Sequence, residues 1–416
     1  MDSIQIDGGI PLQGQVRIQG SKNAALPVMA ATVLINGRCL IENCPKITDV
    51  FQMQTLLESI GCRTWWEGHS LRIDATDVYD YRMPREAVKS MRSSISLLGP
   101  LLARNGEVFL YQPGGCVIGE RPIDIHIHAM ECLGVDFEEE EHYIHGTAAR
   151  LTGANIFLKF PSVGATENAI MASVLAEGDT YIYPAAREPE IVALCDFLRR
   201  AGAIIEGDGT ELILVKGVKT LHEACFRIPP DRIVAGTYIT GCMLAGGSVF
   251  LGDAPVAQMA EVIKAAESMG VTFQDNSEGI FVQAPERLKT AGHIITGVYP
   301  GFPTDMQSMF LAAMCVADGK GILTEQIFEN RFHVVDELRR MGARIDLRGD
   351  SAYTDGVLTL TGTDVHAEEL RGGAALVMAG LGATGHTVVT GCEYICRGYE
   401  NICRDLRELG ARVYSI

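Results

Sequence analysis

Residues 56–66, LLESIGCRTWW, set the pattern from which the fold follows. Aliphatic residues on one helical face run into a glycine, and a small residue then opens an extended run. The phrase returns as MECLGVDFE (130–138), DFLRRAGAIIE (196–206), KAAESMGVTFQ (264–274), ELRRMGARIDL (337–347) and DLRELGARVYS (405–415). Its glycines, Gly61, Gly134, Gly202, Gly270, Gly342 and Gly410, are spaced by 73, 68, 68, 72 and 68 residues. A second phrase recurs in step: a helix of small residues, a glycine turn, then a strand. Its copies are AATVLINGRCLIEN (30–43), LGPLLARNGEVFLYQ (98–112), MASVLAEGDTYIYP (171–184), TGCMLAGGSVFLGD (240–253), AAMCVADGKGILTE (312–325) and MAGLGATGHTVVTG (378–391). Similarity at a fixed period implies six copies of one α/β unit before any single residue is weighed.

Within a unit the order is helix, glycine turn, strand, polar loop, second helix, then two or more strands. In VVDELRRMGAR (334–344), Val334, Val335, Leu338 and Met341 share a face while Arg339 and Arg340 point outward, so the second helix is amphipathic. The first helix, as in TENAIMASVLAEG, is small and apolar on every side, which requires burial on every side. The first helices therefore pack inside and the sheets wrap outside, an inside-out α/β barrel arrangement. The sixth unit stops after one strand, ARVYSI. The strands SIQIDGG and GQVRIQG at the other end of the chain alternate as strands do, so residues 1–20 are expected to complete it. Three units then make a domain of 21–229, and three make a discontinuous one of 1–20 with 230–416. The chain crosses near Gly20 and at Pro229–Pro230, where two prolines stiffen the link. Two crossings permit hinge closure.

The net charge of −17 excludes a nucleic-acid or anionic-membrane surface, and with it a ring-forming DNA clamp. Any anion must be held by a local constellation. Twelve scattered cysteines and a start, MDSIQIDGG, without basic or apolar leader regions fit free thiols in a reducing cytoplasm. No stretch is apolar for the roughly 20 residues that a membrane span needs.

The copies differ most where the first helices begin: Ser21-Lys22-Asn23, Lys89 with Arg92, Ser162 to Glu167, Asp231-Arg232, Thr304-Asp305 and Arg371. Helix N-termini present unpaired N–H groups and suit phosphate and carboxylate ligands. Capping accounts for Thr304 and Asp305. It does not account for Lys22, Arg92, Arg232 and Arg371, because cations there oppose the dipole. The loops after the inner strands add Cys116 and Arg121, Glu188 and Glu190, Glu329 and Arg331, and Arg397. Cys116 lies among Gly114, Gly115 and Gly119, and a guanidinium five residues on favours its thiolate.

Other patterns point nowhere. Gly380 to Gly385 spells GxGxxG, but it follows a helix and precedes a strand, the reverse of the dinucleotide fingerprint. Cys392, Cys396 and Cys403 fit no zinc spacing, so no metal is expected. His142 and His145 read as solvated surface.

Taken in order, SKNAALP, PGGCVIGERPIDIH, FPSVGAT, PPDRI, FPTDMQ, FENRF and RGYE span the chain. Together they resemble the UDP-N-acetylglucosamine enolpyruvyl transferases of the EPSP synthase family. The resemblance implies two inside-out α/β domains of three repeats each. It implies transfer of enolpyruvate from phosphoenolpyruvate (PEP) to the sugar 3′-hydroxyl with release of phosphate, the first committed step of peptidoglycan synthesis, with no cofactor. Lys22, Arg121 and Arg397 would hold PEP, with Asn23 beside them. Cys116 would protonate its methylene and be the target of fosfomycin. Arg92, Arg121, Pro122, Ile123, Asp124, Ile125, Ser162, Val163, Gly164, Asp305 and Ile327 would contact the UDP-sugar, and Asp305 would accept the hydroxyl proton. Arg232, Glu329, Arg331 and Arg371 would support them. The loop around 112–121 would act as a lid. Two departures stand out. Phe160 occupies a position where some members have lysine, with Lys159 adjacent, and Glu369 replaces the usual aspartate before the last inner helix.

Overall fold

The computed structural model describes residues 3–83, 92–111, 119, 122–140 and 143–416. They form two compact units, one of residues up to Gln19 together with Pro230–Ile416, the other within 20–229. In the 20–229 unit the inner helices are Lys22–Ala31, Leu98–Asn105 and Val163–Ser173, and the outer helices are Thr48–Ser59, Asp124–Cys132 and Pro189–Arg200. In the other unit the inner helices are Arg232–Ala245, Gln307–Met314 and Leu370–Gly382, and the outer ones are Ala260–Ser268, Val334–Arg340 and Ile402–Glu408.

The apolar pattern decides which helix lies inside. Every residue from Arg232 to Met243, from Gln307 to Met314 and from Leu370 to Leu381 is buried. By contrast Val334, Val335 and Leu338 are buried while Arg339 and Arg340 are exposed. Each unit thus wraps sheets and amphipathic helices around a centre of largely apolar helices. No helix among the described residues is long and apolar enough to cross a membrane.

The recurrent glycine has one cause. Gly61, Gly134, Gly202, Gly270, Gly342 and Gly410 all have φ between +87° and +109°. Each ends its outer helix in a left-handed turn that a side chain would strain. The GxGxxG stretch, as expected, leaves a helix at Gly382 and enters a strand at His386.

Within a sheet, the central strand pairs antiparallel with a hairpin and parallel with a short strand on its other edge. Asn155–Phe157 lies beside Asp179–Tyr183, His293–Ile295 beside Lys320–Thr324, and Asp364–His366 beside His386–Thr390. The N-terminal segment needs a correction here. Ser3–Asp7 completes the sixth sheet, antiparallel to both His386–Thr390 and Arg412–Ser415. Leu12–Arg17 does not: it runs parallel to Gly247–Gly252 of the fourth. In exchange Cys225–Arg227, which leads into the fourth inner helix, pairs with Arg38–Glu42 of the first. An unpaired edge leaves backbone groups unsatisfied. Each unit therefore fills its open edge with the segment about to leave it, and the exchange sits at the two crossings.

Hairpins return through a second set of glycines. A Cβ on Gly356 would lie 1.6 Å from the Ala317 carbonyl oxygen, and one on Gly217 would lie 1.8 Å from that of Ala176. Gly356→Ala and Gly217→Ala are each expected to lower stability by about 1–3 kcal/mol, the usual cost of overpacking. Gly342→Ala, with no atom within 4 Å of the new Cβ but a φ of +94°, should cost the left-handed strain alone, about 1–2 kcal/mol. Urea midpoints of the three variants check the ranking.

Candidate active site

In the 20–229 unit, Ser21 caps the first inner helix, its hydroxyl accepting from the Ala24 N–H at 3.3 Å. The next residue, Lys22, is a cation at a positive helix end. Its Nζ lies 2.6 Å from Asp49 Oδ2, and the Asp49 side chain is 1% exposed. A carboxylate in the first turn of the neighbouring outer helix thus fixes the ammonium against the dipole. Asn23 follows on the same turn, and Arg92 begins a short 3-10 helix, Arg92–Leu97.

Ser162 caps the third inner helix through the Ala165 N–H at 3.4 Å. Asn168, one turn further in, is fully buried. Its Oδ1 accepts from the Gly99 N–H at 2.7 Å, and its Nδ2 donates to the Ile95 carbonyl at 3.0 Å and to the Gly164 carbonyl at 3.2 Å. The same Nδ2 lies 3.1 Å from His126 Nδ1. A Cβ on Gly164 would stand 3.0 Å from the His126 ring. One amide therefore ties the Ser162-Val163-Gly164 turn to the helix that begins at Asp124, with Pro122 and Ile123 preceding it and Ile125 and His126 in its first turn. Lys159 is hydrogen-bonded to Asp124, both side chains being exposed, so the lysine beside Phe160 has an acidic neighbour. Cys116 and Arg121, with Lys89 and His142, lie outside the described residues.

In the other unit Asp231 caps the fourth inner helix, accepting from the N–H groups of Ile233 at 2.8 Å and Val234 at 3.1 Å. Arg232 lies over the Tyr299 ring, 5.5 Å from its centroid. Glu369 caps the sixth, accepting from the N–H groups of Arg371 and Gly372. Its longer reach still meets two backbone donors, so it replaces an aspartate without loss of the cap.

The expectation that Asp305 is a cap is corrected. It lies inside the 3-10 turn Thr304–Met306, which has no side-chain cap. Its Oδ1 accepts from Arg331 Nη2 at 2.7 Å and its Oδ2 from Arg371 Nη2 at 3.0 Å. Both guanidiniums are buried, at 3% and 4% exposure, and such a pair cannot be left uncompensated. Burial pushes the Asp305 carboxyl upward, but Arg371 and Arg331 outweigh it and hold the carboxyl well below the usual carboxylate range. Arg331 Nε and Arg371 Nη1 remain buried donors with no partner among the described residues. Glu329 is exposed and Ile327 half-buried in the loop before Arg331.

Arg397 follows a short helix, Cys392–Ile395, and Gln19 holds the backbone beyond it. The Gln19 amide donates to the Gly398 carbonyl at 3.0 Å and accepts from the Glu400 N–H at 2.9 Å. Tyr399, buried, shares a hydrogen bond of 2.8 Å with Thr237. Sequence reasoning missed Gln19, Asp49, His126, Asn168 and Tyr399. Only Asn168 carried a signal, an amide within an otherwise apolar helix, since buried polar groups need partners.

In the 230–416 unit two buried guanidiniums with spare donors, suited to an anionic ligand, flank one carboxylate kept ionised; in the 20–229 unit an acid anchors Lys22. The family model for EPSP synthase (3-phosphoshikimate 1-carboxyvinyltransferase) matches residues 6–406. The chain is 44% identical over 416 residues, 100% of both chains, to a protein of Caldanaerobacter subterraneus subsp. tengcongensis named UDP-N-acetylglucosamine 1-carboxyvinyltransferase 2. It is 44% identical over 413 residues, 99% of both, to a protein of Nitratidesulfovibrio vulgaris named UDP-N-acetylglucosamine 1-carboxyvinyltransferase. Among solved structures, the enolpyruvyl transferase NikO from Streptomyces tendae matches with a TM-score of 0.90 at 25% identity, over 99% of this chain and 98% of that one. EPSP synthase from Acinetobacter baumannii matches at 0.77 and 17% identity over 100% of both, a likeness of fold alone.

One buried acid gives a pH test. Burial, then the charges of Glu190 and Glu188, push the Glu167 carboxyl from its usual 4.5 up to about 8. The folded state then binds the extra proton between these values, so stability is full below about 4.5 and is lost as pH rises toward about 8. Glu167→Gln is expected to flatten this fall. Urea unfolding at several pH values checks it.

Proposed function

The chain belongs to the EPSP synthase family, and from that premise we propose that it transfers enolpyruvate from PEP to the 3′-hydroxyl of UDP-N-acetylglucosamine. Phosphate is the second product. The carrying observation is the end-to-end 44% identity to relatives named for this activity. The EPSP synthase structures, at 17% identity, give no comparable support for a shikimate-derived acceptor. The reaction would commit the UDP-sugar to peptidoglycan in the cytoplasm, and so serve cell shape and division.

In the mechanism, Lys22, Arg121 and Arg397 bind the phosphate and carboxylate of PEP, with Asn23 adjoining. The Cys116 thiol protonates the methylene carbon, and C2 becomes electrophilic. The sugar hydroxyl adds to C2 as Asp305 takes its proton, giving a tetrahedral ketal. Loss of a methyl proton and of phosphate restores the double bond as the enolpyruvyl ether. Positioned acid and base groups each contribute roughly 10²–10⁴-fold. Arg92, Pro122 to Ile125, Ser162 to Gly164 and Ile327 bind the UDP-sugar, with Arg232, Glu329, Arg331 and Arg371 in support. The ion pairs of Asp305 bear on its role as base. Bound so tightly it is a weak base, and an anion bound to the spare donors of Arg331 or Arg371 would offset part of their charge and raise its basicity. Substrate binding and base strength are thereby linked.

Phosphate release should require both PEP and the UDP-sugar. Asp305→Asn, which keeps the shape between two buried guanidiniums, should lower kcat by at least about 10² with little change in KM for PEP. A loss that only tracks the melting temperature would refute the base assignment. Fosfomycin should alkylate Cys116 alone among the twelve cysteines, faster with UDP-sugar bound, as peptide mapping by mass spectrometry would reveal. Cys116→Asp should resist the drug while retaining activity, because a carboxylic acid can still donate the proton.

A further inference from the structure

Glu325 follows the strand Lys320–Thr324 and is 3% exposed. The strand ladder ends at Thr324, and the Glu325 N–H is bonded to the Asp350 carbonyl at 2.8 Å. Sheet pairing gives no reason for a carboxylate here. A buried acid is costly unless its oxygens are matched by donors, and these are matched in a particular way. One oxygen, Oε1, accepts from the backbone N–H groups of Ile327 at 2.8 Å and Phe328 at 3.2 Å. The other, Oε2, accepts from the Thr304 hydroxyl at 2.8 Å. That hydroxyl accepts in turn from Arg331 Nη1 at 3.0 Å, and Arg331 Nη2 reaches Asp305 at 2.7 Å.

We propose that Glu325 is a positioning residue: its carboxylate ties the Thr304–Asp305 turn to the loop that carries Ile327 and Arg331, so that the base and the sugar-binding loop keep one register. The proposal rests on the functional reading above. A residue that only capped the loop would need Oε1 alone. The second oxygen, directed at the hydroxyl that holds Arg331, is what a cap does not require. The charged groups around the base are Arg331 and Arg371, with Asp231 and Tyr399 facing Arg371.

Replacing the acid by an amide separates the two duties. With the Glu325→Gln oxygen serving the Ile327 and Phe328 N–H groups, its NH₂ faces Thr304, and the hydroxyl loses its acceptor. The hydroxyl then turns and loosens its hold on Arg331. KM for the UDP-sugar should rise about tenfold, as for a lost buried hydrogen bond to a charged group, while KM for PEP stays unchanged. Thr304→Val, which removes the hydroxyl but not the shape, should reproduce this split between the two KM values. Thr304→Ser should restore the wild-type KM for the UDP-sugar, and the Thr304 pair decides the matter should Glu325→Gln fail to fold. An unchanged ratio of the two KM values in active variants would overturn the proposal alone. Absence of turnover by the wild-type protein would instead overturn the functional reading, and the proposal with it.

Discussion

A helix that is apolar on every side can hold polar chemistry only at its ends. This constraint organises the molecule. Six helices, apolar over most of their surface, occupy the centres of two units, and the residues that distinguish one copy of the repeat from another collect where those helices start. Cations there work against the helix dipole, each at a cost of about 0.3–1 kcal/mol. The structure offsets that cost with particular acids. Asp49 takes Lys22, and Asp305 takes Arg371 together with Arg331 of a neighbouring loop. At least one partner of each pair is buried, Asp49 in the first and the guanidiniums in the second, so the pairs are screened little by salt.

The same pairs constrain the chemistry. A carboxylate held between two buried guanidiniums stays ionised, and its basicity is low. Asn168 and Gln19 act more quietly. Each is one amide that fixes the backbone of two segments, and neither is itself charged. A single amide can do this because its donor and acceptor ends satisfy opposite backbone groups at once.

Much of the fold was legible because its causes are local. A glycine recurs where the backbone turns left-handed, and the distribution of apolar residues separates inner from outer helices. The exchange of Leu12–Arg17 and Cys225–Arg227 between sheets was not legible. An alternating strand states that one face is buried, but not which edge it joins. The site divides likewise. Lys22, Arg232 and Arg371 could be found because a cation at a helix start is anomalous. Asp49 and Glu325 could not, because an acid at a helix start or strand end looks solvated until the fold buries it. Asp305 was located, yet its two partners lie 26 and 66 residues away, and only the fold brings them together.

The most direct test of this account is a competition between acceptors. The protein would be given PEP with equal amounts of UDP-N-acetylglucosamine and shikimate 3-phosphate, and the products identified by mass spectrometry. The account predicts an enolpyruvyl ether on the UDP-sugar alone, formed in step with phosphate. Enolpyruvyl transfer to shikimate 3-phosphate in preference to the UDP-sugar would contradict it.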